Sequence, residues 1–168
     1  ELKKKFKFIK KNTNLLDVGS YPGGWSQICS KIVKEGKILS LDLKKIDKLK
    51  NVSFLQCDFL ETKTKKKILE FFGRKIDVVV SDMAANTTGN KSLDCIRTNL
   101  LCSEVLNFSS SMLNSNGVLV SKLFMGEDFL EVKELAKSKF KNVHFFKPEA
   151  SRDESKETYL YCKGLKTL

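Results

Sequence analysis

The sequence is poor in the residues that build metal and hydrolase centres. It has one histidine, His144, and none of its five cysteines stands in a CxxC pair. A structural zinc site usually needs paired cysteines or several histidines, so the sequence predicts no metal site. A lone histidine also argues against Ser-His-Asp and Cys-His hydrolases. His144 lies in a predicted strand and is interpreted as a structural residue.

Membrane and targeting signals are also missing. No apolar run approaches the roughly 20 residues that cross a bilayer, and the charged N-terminus has no signal-peptide pattern. The scattered, mostly apolar-flanked cysteines favour a reducing compartment. With 41% hydrophobic and 30% charged residues, the composition is that of a globular protein. We therefore expect one cytoplasmic, monomeric domain over residues 1–168, with no membrane partner.

Acidic residues are scarce relative to basic ones. The chain has 31 lysines and arginines against 20 aspartates and glutamates, which gives a net charge of +11. Such an excess favours a polyanionic partner, above all a nucleic acid. A lysine-rich composition bias, a lipid surface or simple solubility would give the same excess. The run of lysines at residues 63–67 is interpreted as a solvated face.

Short apolar segments alternate with amphipathic ones. Strands are predicted at residues 14–18, 37–41, 52–56, 77–81, 118–123, 143–147 and 158–162. Helices are predicted at residues 26–34, 65–72, 92–113 and 129–140, and a turn is predicted at 114–117. This order predicts an α/β fold with a mostly parallel sheet covered by helices on both faces. Ligands of such folds lie at the carboxyl ends of the strands, which here carry Gly19, Asp42, Asp58, Asp82 and Lys122.

A glycine turn follows the first predicted strand. Gly19 ends that strand, and Gly23 and Gly24 precede the next helix. Glycines permit positive φ and let a ligand approach the backbone closely. Asp42 lies about 20 residues further on, where a carboxylate can accept both ribose hydroxyls, and Asp58 could bind an adenine amino group. Either aspartate alone is better explained as a turn or cap residue, but with the glycines they favour a nucleoside cofactor.

Four segments of the sequence form specific motifs. They are D-V-G-S-Y-P-G-G-W-S-Q at residues 17–27, S-D-M-A-A-N at 81–86, V-S-K-L-F at 120–124, and K-P-E-A-S-R followed by S-K-E-T-Y within 147–159. In this order they resemble the FtsJ/RrmJ family of RNA 2′-O-ribose methyltransferases over nearly the whole chain. The resemblance implies a Rossmann-like, seven-stranded sheet whose last strand is antiparallel.

The resemblance also implies a cofactor and its contacts. S-adenosylmethionine is expected to contact Gly23 and Trp25 in the first motif. Asp42 would hold its ribose and Asp58 its adenine. Asp82 is expected where the cofactor and the substrate meet.

The family's active site is a Lys-Asp-Lys-Glu tetrad, and Asp82, Lys122 and Glu157 match its last three members. The family's first lysine precedes a Glu-Leu pair, and this chain begins at Glu1 and Leu2. That lysine is therefore expected in a short segment upstream. Lys122 is the candidate base for the ribose hydroxyl, a role that needs a neutral amine. Carboxylates raise the pKa of a lysine and a second lysine lowers it, so the sequence leaves open whether Lys122 removes the proton or orients the hydroxyl.

The expected partner is RNA. The resemblance is nearest to the bacterial large-subunit rRNA type, which methylates a uridine, so ribosomal RNA, free or in the large subunit, is the expected substrate. A tRNA or mitochondrial rRNA methyltransferase and an inactive RNA-binding assembly module are the alternatives. An NAD-dependent oxidoreductase is disfavoured by the glycine spacing of the loop. Phosphate contacts are expected from residues 3–11, Lys147, Arg152 and Lys156.

Overall fold

The structure is a computed structural model that describes residues 7–148 and 156–166. Within them, the strands are β1 (Leu15–Val18), β2 (Ile38–Asp42), β3 (Val52–Gln56), β4 (Ile76–Ser81), β5 (Leu113–Phe124), β6 (Phe140–Phe146) and β7 (Glu157–Leu165). The helices are α1 (Gly24–Ile32), α2 (Thr62–Phe72), α3 (Lys91–Met112) and α4 (Phe129–Lys139). Each of these elements overlaps one that the sequence pattern predicts.

All seven strands form one sheet in the order β3-β2-β1-β4-β5-β7-β6. Strands β1 to β5 pair in parallel, while β7 runs antiparallel to both β5 and β6. The Rossmann-like, mostly parallel sheet with an antiparallel last strand is therefore confirmed. The chain builds outward from β1 to β3 and then restarts at β4 on the other side of β1. Ligands of open α/β sheets bind at the carboxyl ends beside such a switch point.

The sheet carries a hydrophobic core on each face. Side chains alternate between the faces of a strand, so Leu16 and Val79 join the core that includes residues of α2, α3 and α4. Leu15 and Val78 join the core that includes Cys29 of α1. Both faces of the central strands are buried, because helices cover both sides of the sheet.

Local signals explain where the helices begin and end. The side chain of Asn90 accepts a hydrogen bond from the Leu93 amide at 3.1 Å, which caps the start of α3. Helix α2 ends at Gly73, whose φ of 64° is left-handed and favours glycine. The lysines at 63, 66 and 67 on α2 are exposed, in agreement with the predicted solvated face. No helix among residues 7–148 and 156–166 is long and apolar enough to cross a membrane.

The predicted turn at residues 114–117 is wrong. Helix α3 passes directly into β5, and Leu113 already pairs with Ile76 of β4. The register then shifts, so that Val78 pairs with Val118, and residues 114–117 form an irregularity inside the strand. The backbone is tight here, because a Cβ on Gly117 would lie 2.7 Å from the Cβ of Leu113. Glycine and asparagine occur in β-bulges as well as in turns, and here they mark a bulged strand.

Candidate active site

The glycine loop between β1 and α1 is tied to the end of β2. The amides of Gly19 and Ser20 both donate to the Leu41 carbonyl, at 2.9 and 3.1 Å. The Tyr21 amide donates to Oδ2 of Asp42 at 2.9 Å, and the peptide bond between Tyr21 and Pro22 is cis. The loop is thus held at the carboxyl ends of β1 and β2.

Gly19 lies where the loop meets the segment after β4. Its φ is 72°, and a Cβ at this position would lie 2.5 Å from Cγ and 2.9 Å from the backbone nitrogen of Met83. Both the backbone conformation and the close approach of Met83 therefore require glycine. This contact brings the first motif against the S-D-M-A motif.

Gly23 and Trp25 occupy the start of α1. Gly23 precedes the helix as its N-cap with a φ of 116°, which favours glycine, and a Cβ there would meet the Cβ of Ile46 at 4.0 Å. The half-buried ring of Trp25 packs against the core on the α1 face, with its centroid 6.4 Å from that of Tyr159. Gly23 thus shapes the turn into α1, and Trp25 links the loop to β7.

Asp42 ends β2 and Asp58 follows β3, at the same edge of the sheet as the loop. Besides Tyr21, Asp42 accepts the Lys44 amide through Oδ1 at 2.8 Å. Oδ1 of Asp58 accepts the Leu60 amide at 2.9 Å. Both carboxylates therefore organise turns. They are only partly buried, and each carboxylate oxygen has a second lone pair for a ligand.

A buried polar network lies under the loop. Ser26 of α1 donates to Oδ2 of Asp17, and its hydroxyl is 2.6 Å from that of Ser40. Oδ1 of Asp17 and Oγ of Ser20 are buried without a hydrogen-bond partner in the described part of the chain. Burial, partly offset by the Ser26 hydrogen bond, raises the pKa of Asp17 to about 7. The network joins β1 and β2 to the first turn of α1.

The raised pKa of Asp17 makes stability depend on pH. The unfolded chain releases this proton near the ordinary pKa of 3.8, while the folded chain keeps it up to about 7. Folded protein therefore binds more protons between these values, and its stability falls as pH rises through that window. Asp17→Asn should remove this slope. Urea unfolding should show that, from pH 5 to pH 7, the free energy of unfolding of wild type falls by roughly 2 kcal/mol more than that of the variant. Identical pH dependence of the two proteins would contradict this prediction.

Three side chains meet at the carboxyl ends of β4, β5 and the start of β7. Nζ of Lys122 lies 3.0 Å from Oδ1 of Asp82 and 3.2 Å from Oε2 of Glu157. The register explains the meeting, because Lys122 pairs with Tyr159 and Phe124 with Glu157, which makes Lys122 and Glu157 diagonal neighbours. The structure therefore brings together Asp82, Lys122 and Glu157, as the motifs predict.

Lys122 is largely enclosed, with 14% of its side chain exposed. Burial alone would lower its pKa, but the charges and hydrogen bonds of Asp82 and Glu157 outweigh burial and raise the pKa above the ordinary 10.5. Lys122 is therefore an ammonium at neutral pH. The neutral amine that a base requires is disfavoured here.

Tyr159 is a fourth member that the sequence motifs contained but did not single out. Its hydroxyl donates to Oδ1 of Asp82 at 2.8 Å. Burial, followed by the charge of Asp82, raises the pKa of Tyr159, which keeps the phenol protonated and donating. Strand periodicity could have found it, since residues 157 and 159 share one face of a strand.

The predicted phosphate contacts are only partly described. Lys147 and Lys156 are exposed and flank the undescribed residues 149–155. Arg152 and residues 3–6 lie outside the described part of the chain. His144 is exposed in β6, with its ring centroid 6.2 Å from that of Tyr161. Among the described residues, no three His, Cys, Asp or Glu side chains gather into a group that could hold a metal ion.

Solved structures define the class of fold. A candidate ribosomal RNA methyltransferase from Plasmodium falciparum superposes with a TM-score of 0.87 at 31% identity, over 98% of this chain and 92% of the other. A candidate methyltransferase from Streptococcus mutans in complex with SAH has a TM-score of 0.61 at 16% identity, over 95% of this chain and 90% of the other. The second likeness shows the fold alone. The fold is thus that of the Rossmann-like methyltransferases.

Sequence comparison narrows the class to one family. The FtsJ-like methyltransferase family matches residues 1–165. The "Ribosomal RNA large subunit methyltransferase E" of Pelagibacter ubique (strain HTCC1062) is 45% identical over 166 residues, which is 99% of this chain and 82% of that protein. The chain belongs to the FtsJ-like methyltransferase family, and the resemblance of its motifs is confirmed.

Proposed function

We propose that this protein transfers a methyl group from S-adenosylmethionine to a ribose 2′-hydroxyl of RNA, with a uridine of large-subunit ribosomal RNA as its target. The observation that carries the proposal is the Lys122 ammonium held between Asp82 and Glu157 beside the glycine loop. Membership of the family and the ribosomal RNA named for the Pelagibacter relative support the substrate. A bacterial-type ribosomal RNA substrate supports a cytoplasmic location.

The residues around the glycine loop fit the cofactor. Asp42 and Asp58 lie at the same edge of the sheet as the turn at Gly23, and they offer carboxylates where ribose hydroxyls and an adenine amino group would lie. The buried, unpartnered Oδ1 of Asp17 and Oγ of Ser20 are polar atoms under the same loop. Trp25 would support the loop through its packing next to Tyr159. When bound, S-adenosylmethionine supplies a methyl group already activated by its sulfonium sulfur.

Lys122 would hold and orient the substrate hydroxyl. An ammonium has three N–H donors, of which two are directed to Asp82 and Glu157. The third can donate to the 2′-oxygen and so turn a lone pair toward the methyl group. In-line alignment of this kind can supply much of the acceleration of a transfer reaction.

Asp82 is the group that would accept the proton. Its Oδ1 is engaged by Lys122 and Tyr159, whereas Oδ2 accepts no hydrogen bond from the residues that the structure describes. The hydroxyl proton would move to Oδ2 as the 2′-oxygen takes the methyl group that S-adenosylmethionine would supply, leaving the cofactor as a neutral thioether. Lys122 and Tyr159 keep the carboxylate in place during this step.

The experiment that tests the function is methyl transfer from labelled S-adenosylmethionine to large-subunit rRNA, with single-stranded DNA of the same sequence as the matched control. We expect label in the RNA and at least about 100-fold less in the DNA, because the DNA lacks the acceptor hydroxyl. Equal labelling of both would contradict a ribose target. Absence of cofactor binding in calorimetry would contradict the methyltransferase assignment altogether.

A further inference from the structure

A basic groove lies at the end of the sheet opposite Lys122. Two adjoining cavities of about 490 and 450 Å³ share Asn12, Asp77 and Asn114 in their walls. Asp77 is at the start of β4 and Asn114 at the start of β5. We call this feature the distal groove and define it by its five cationic residues, which are Lys7, Lys10, Arg74, Lys75 and Lys163.

The distal groove has an unbalanced positive charge. Asp77 is the carboxylate in the lining of both cavities, and its two oxygens already accept the Asn14 amide at 2.7 Å and the Asn114 side-chain amide at 2.6 Å. Lys75 donates to the carbonyl of Ser111. Within the described residues, the lysines at 7, 10 and 163 form no ion pair, and all three are exposed. These three charges are available to an anionic partner.

The wall that carries Lys10 is preformed. The carbonyl of Lys11 accepts the amides of Lys34 and Glu35, both at 2.8 Å. Gly36 lies directly against this turn, because a Cβ there would be 1.9 Å from the carbonyl oxygen of Thr13. A rigid wall loses little conformational entropy when it binds a partner.

The distal groove and Lys122 lie on the same side of β5. Val118, which lines the groove, belongs to the core on the α1 face, and so does Val120. Lys122 continues this alternation along β5. Lys122 lies four positions beyond Val118 along β5, a distance of about 13 Å at roughly 3.3 Å per residue.

We propose that the distal groove binds the phosphate backbone of the RNA substrate at a second contact, remote from Lys122. The inference rests on the proposed function, since it concerns the same substrate. Lysine ammonium groups and asparagine amides are typical phosphate and sugar donors, and contacts of this kind position an RNA without reading its sequence. An RNA that fills both places must extend well beyond the modified nucleotide. The distal groove therefore selects long or structured RNA over short fragments.

The test compares two double variants with equal loss of charge. Lys10→Gln with Lys163→Gln changes the distal groove, and Lys66→Gln with Lys67→Gln changes exposed lysines on α2, on the opposite side of the sheet. Binding of a large-subunit rRNA fragment is measured over a range of salt concentrations. The slope of the logarithm of the RNA-binding constant against the logarithm of the salt concentration should be shallower by about two in the groove variant, because each lost phosphate contact removes about one. The control variant should keep the wild-type slope.

The maximal rate of methyl transfer at saturating RNA should stay within about twofold of wild type in both variants, because Lys122 and its partners are unchanged. KM for the long RNA should rise about tenfold in the groove variant alone, and KM for a fragment too short to reach the groove should not change.

The outcomes separate the two proposals. If wild type methylates RNA but the groove variant keeps the slope and KM of the control variant, the groove inference is wrong and the proposed function stands. If the groove variant loses methylation of intact subunits only and still binds free RNA like wild type, the partner of the groove is a ribosomal protein, and the groove inference is again wrong. If wild type neither binds nor methylates RNA, the proposed function fails and the inference fails with it.

Discussion

Lys122→Met should lower the rate of methyl transfer by at least about 100-fold, while S-adenosylmethionine binding stays within about twofold of wild type. Methionine approximates the length of the side chain but removes the donor that would hold the 2′-oxygen and the charge between Asp82 and Glu157. Loss of one well-placed donor or acid–base group typically costs about 10²–10⁴ in rate. Single-turnover transfer and calorimetry measure the two effects separately.

The control for this variant is Lys67→Met, which removes an exposed lysine on α2 and should leave the rate unchanged. Lys122→Arg should fall between Lys122→Met and wild type, because it keeps the charge with a different donor geometry. If Lys122→Met transfers the methyl group at the wild-type rate, Lys122 has no role in the mechanism.

The pH dependence of the same reaction distinguishes the two roles of Lys122. Its pKa lies above 10.5, so a lysine that acts as an ammonium gives a flat single-turnover rate between about pH 8 and pH 10. A lysine that must first lose its proton gives a rate that rises about tenfold per pH unit over that range. A rise of that size in the wild-type rate, absent from Lys122→Met, would show that Lys122 acts as the base.

Gly19→Ala should destabilise the fold by about 3 kcal/mol or more and abolish measurable cofactor binding. The φ of 72° costs a side chain about 1–2 kcal/mol, and the new Cβ would lie 2.9 Å from the backbone nitrogen of Met83. Relief of that clash must move either the glycine loop or the segment that carries Asp82. Urea unfolding and calorimetry are the measurements.

Two other glycines provide matched controls for Gly19→Ala. Gly73 shares the left-handed backbone with a φ of 64°, but a Cβ there meets nothing within 4 Å, so Gly73→Ala should cost only about 1 kcal/mol. Gly24, inside the first turn of α1, has neither constraint, and Gly24→Ala should be neutral or stabilising. Equal losses in all three variants would show that the contact with Met83 has no role.

The sequence predicted the fold closely because the apolar periodicity of its segments is strong. The central strands are buried on both faces, which gives the continuous apolar runs, such as Val78 to Val80, that pattern analysis detects. The bulge at residues 114–117 was missed because asparagine and glycine mark both turns and bulges, and only the pairing of Leu113 with Ile76 decides between them.

The motifs predicted which residues come together in the candidate active site but not their electrostatics. Asp82, Lys122 and Glu157 were predicted to meet, and they do. The protonation state of Lys122 depends on the balance between its burial and the attraction of two carboxylates. That balance depends on interatomic distances, which the sequence does not give. The distal groove was predicted only in part. Lys7 and Lys10 belong to the predicted phosphate-contact segment 3–11, but Lys163 comes from a distant part of the chain and only the packed sheet places it beside them.

The measurement that tests the central claim most directly is the chemical identity of the methylated product. Large-subunit rRNA treated with the protein and labelled S-adenosylmethionine is digested to nucleosides and separated by mass spectrometry. The proposed function predicts label in 2′-O-methyluridine and none in this product with Lys122→Met. Label on a base, or equal label in 2′-O-methyluridine from wild type and Lys122→Met, would contradict it.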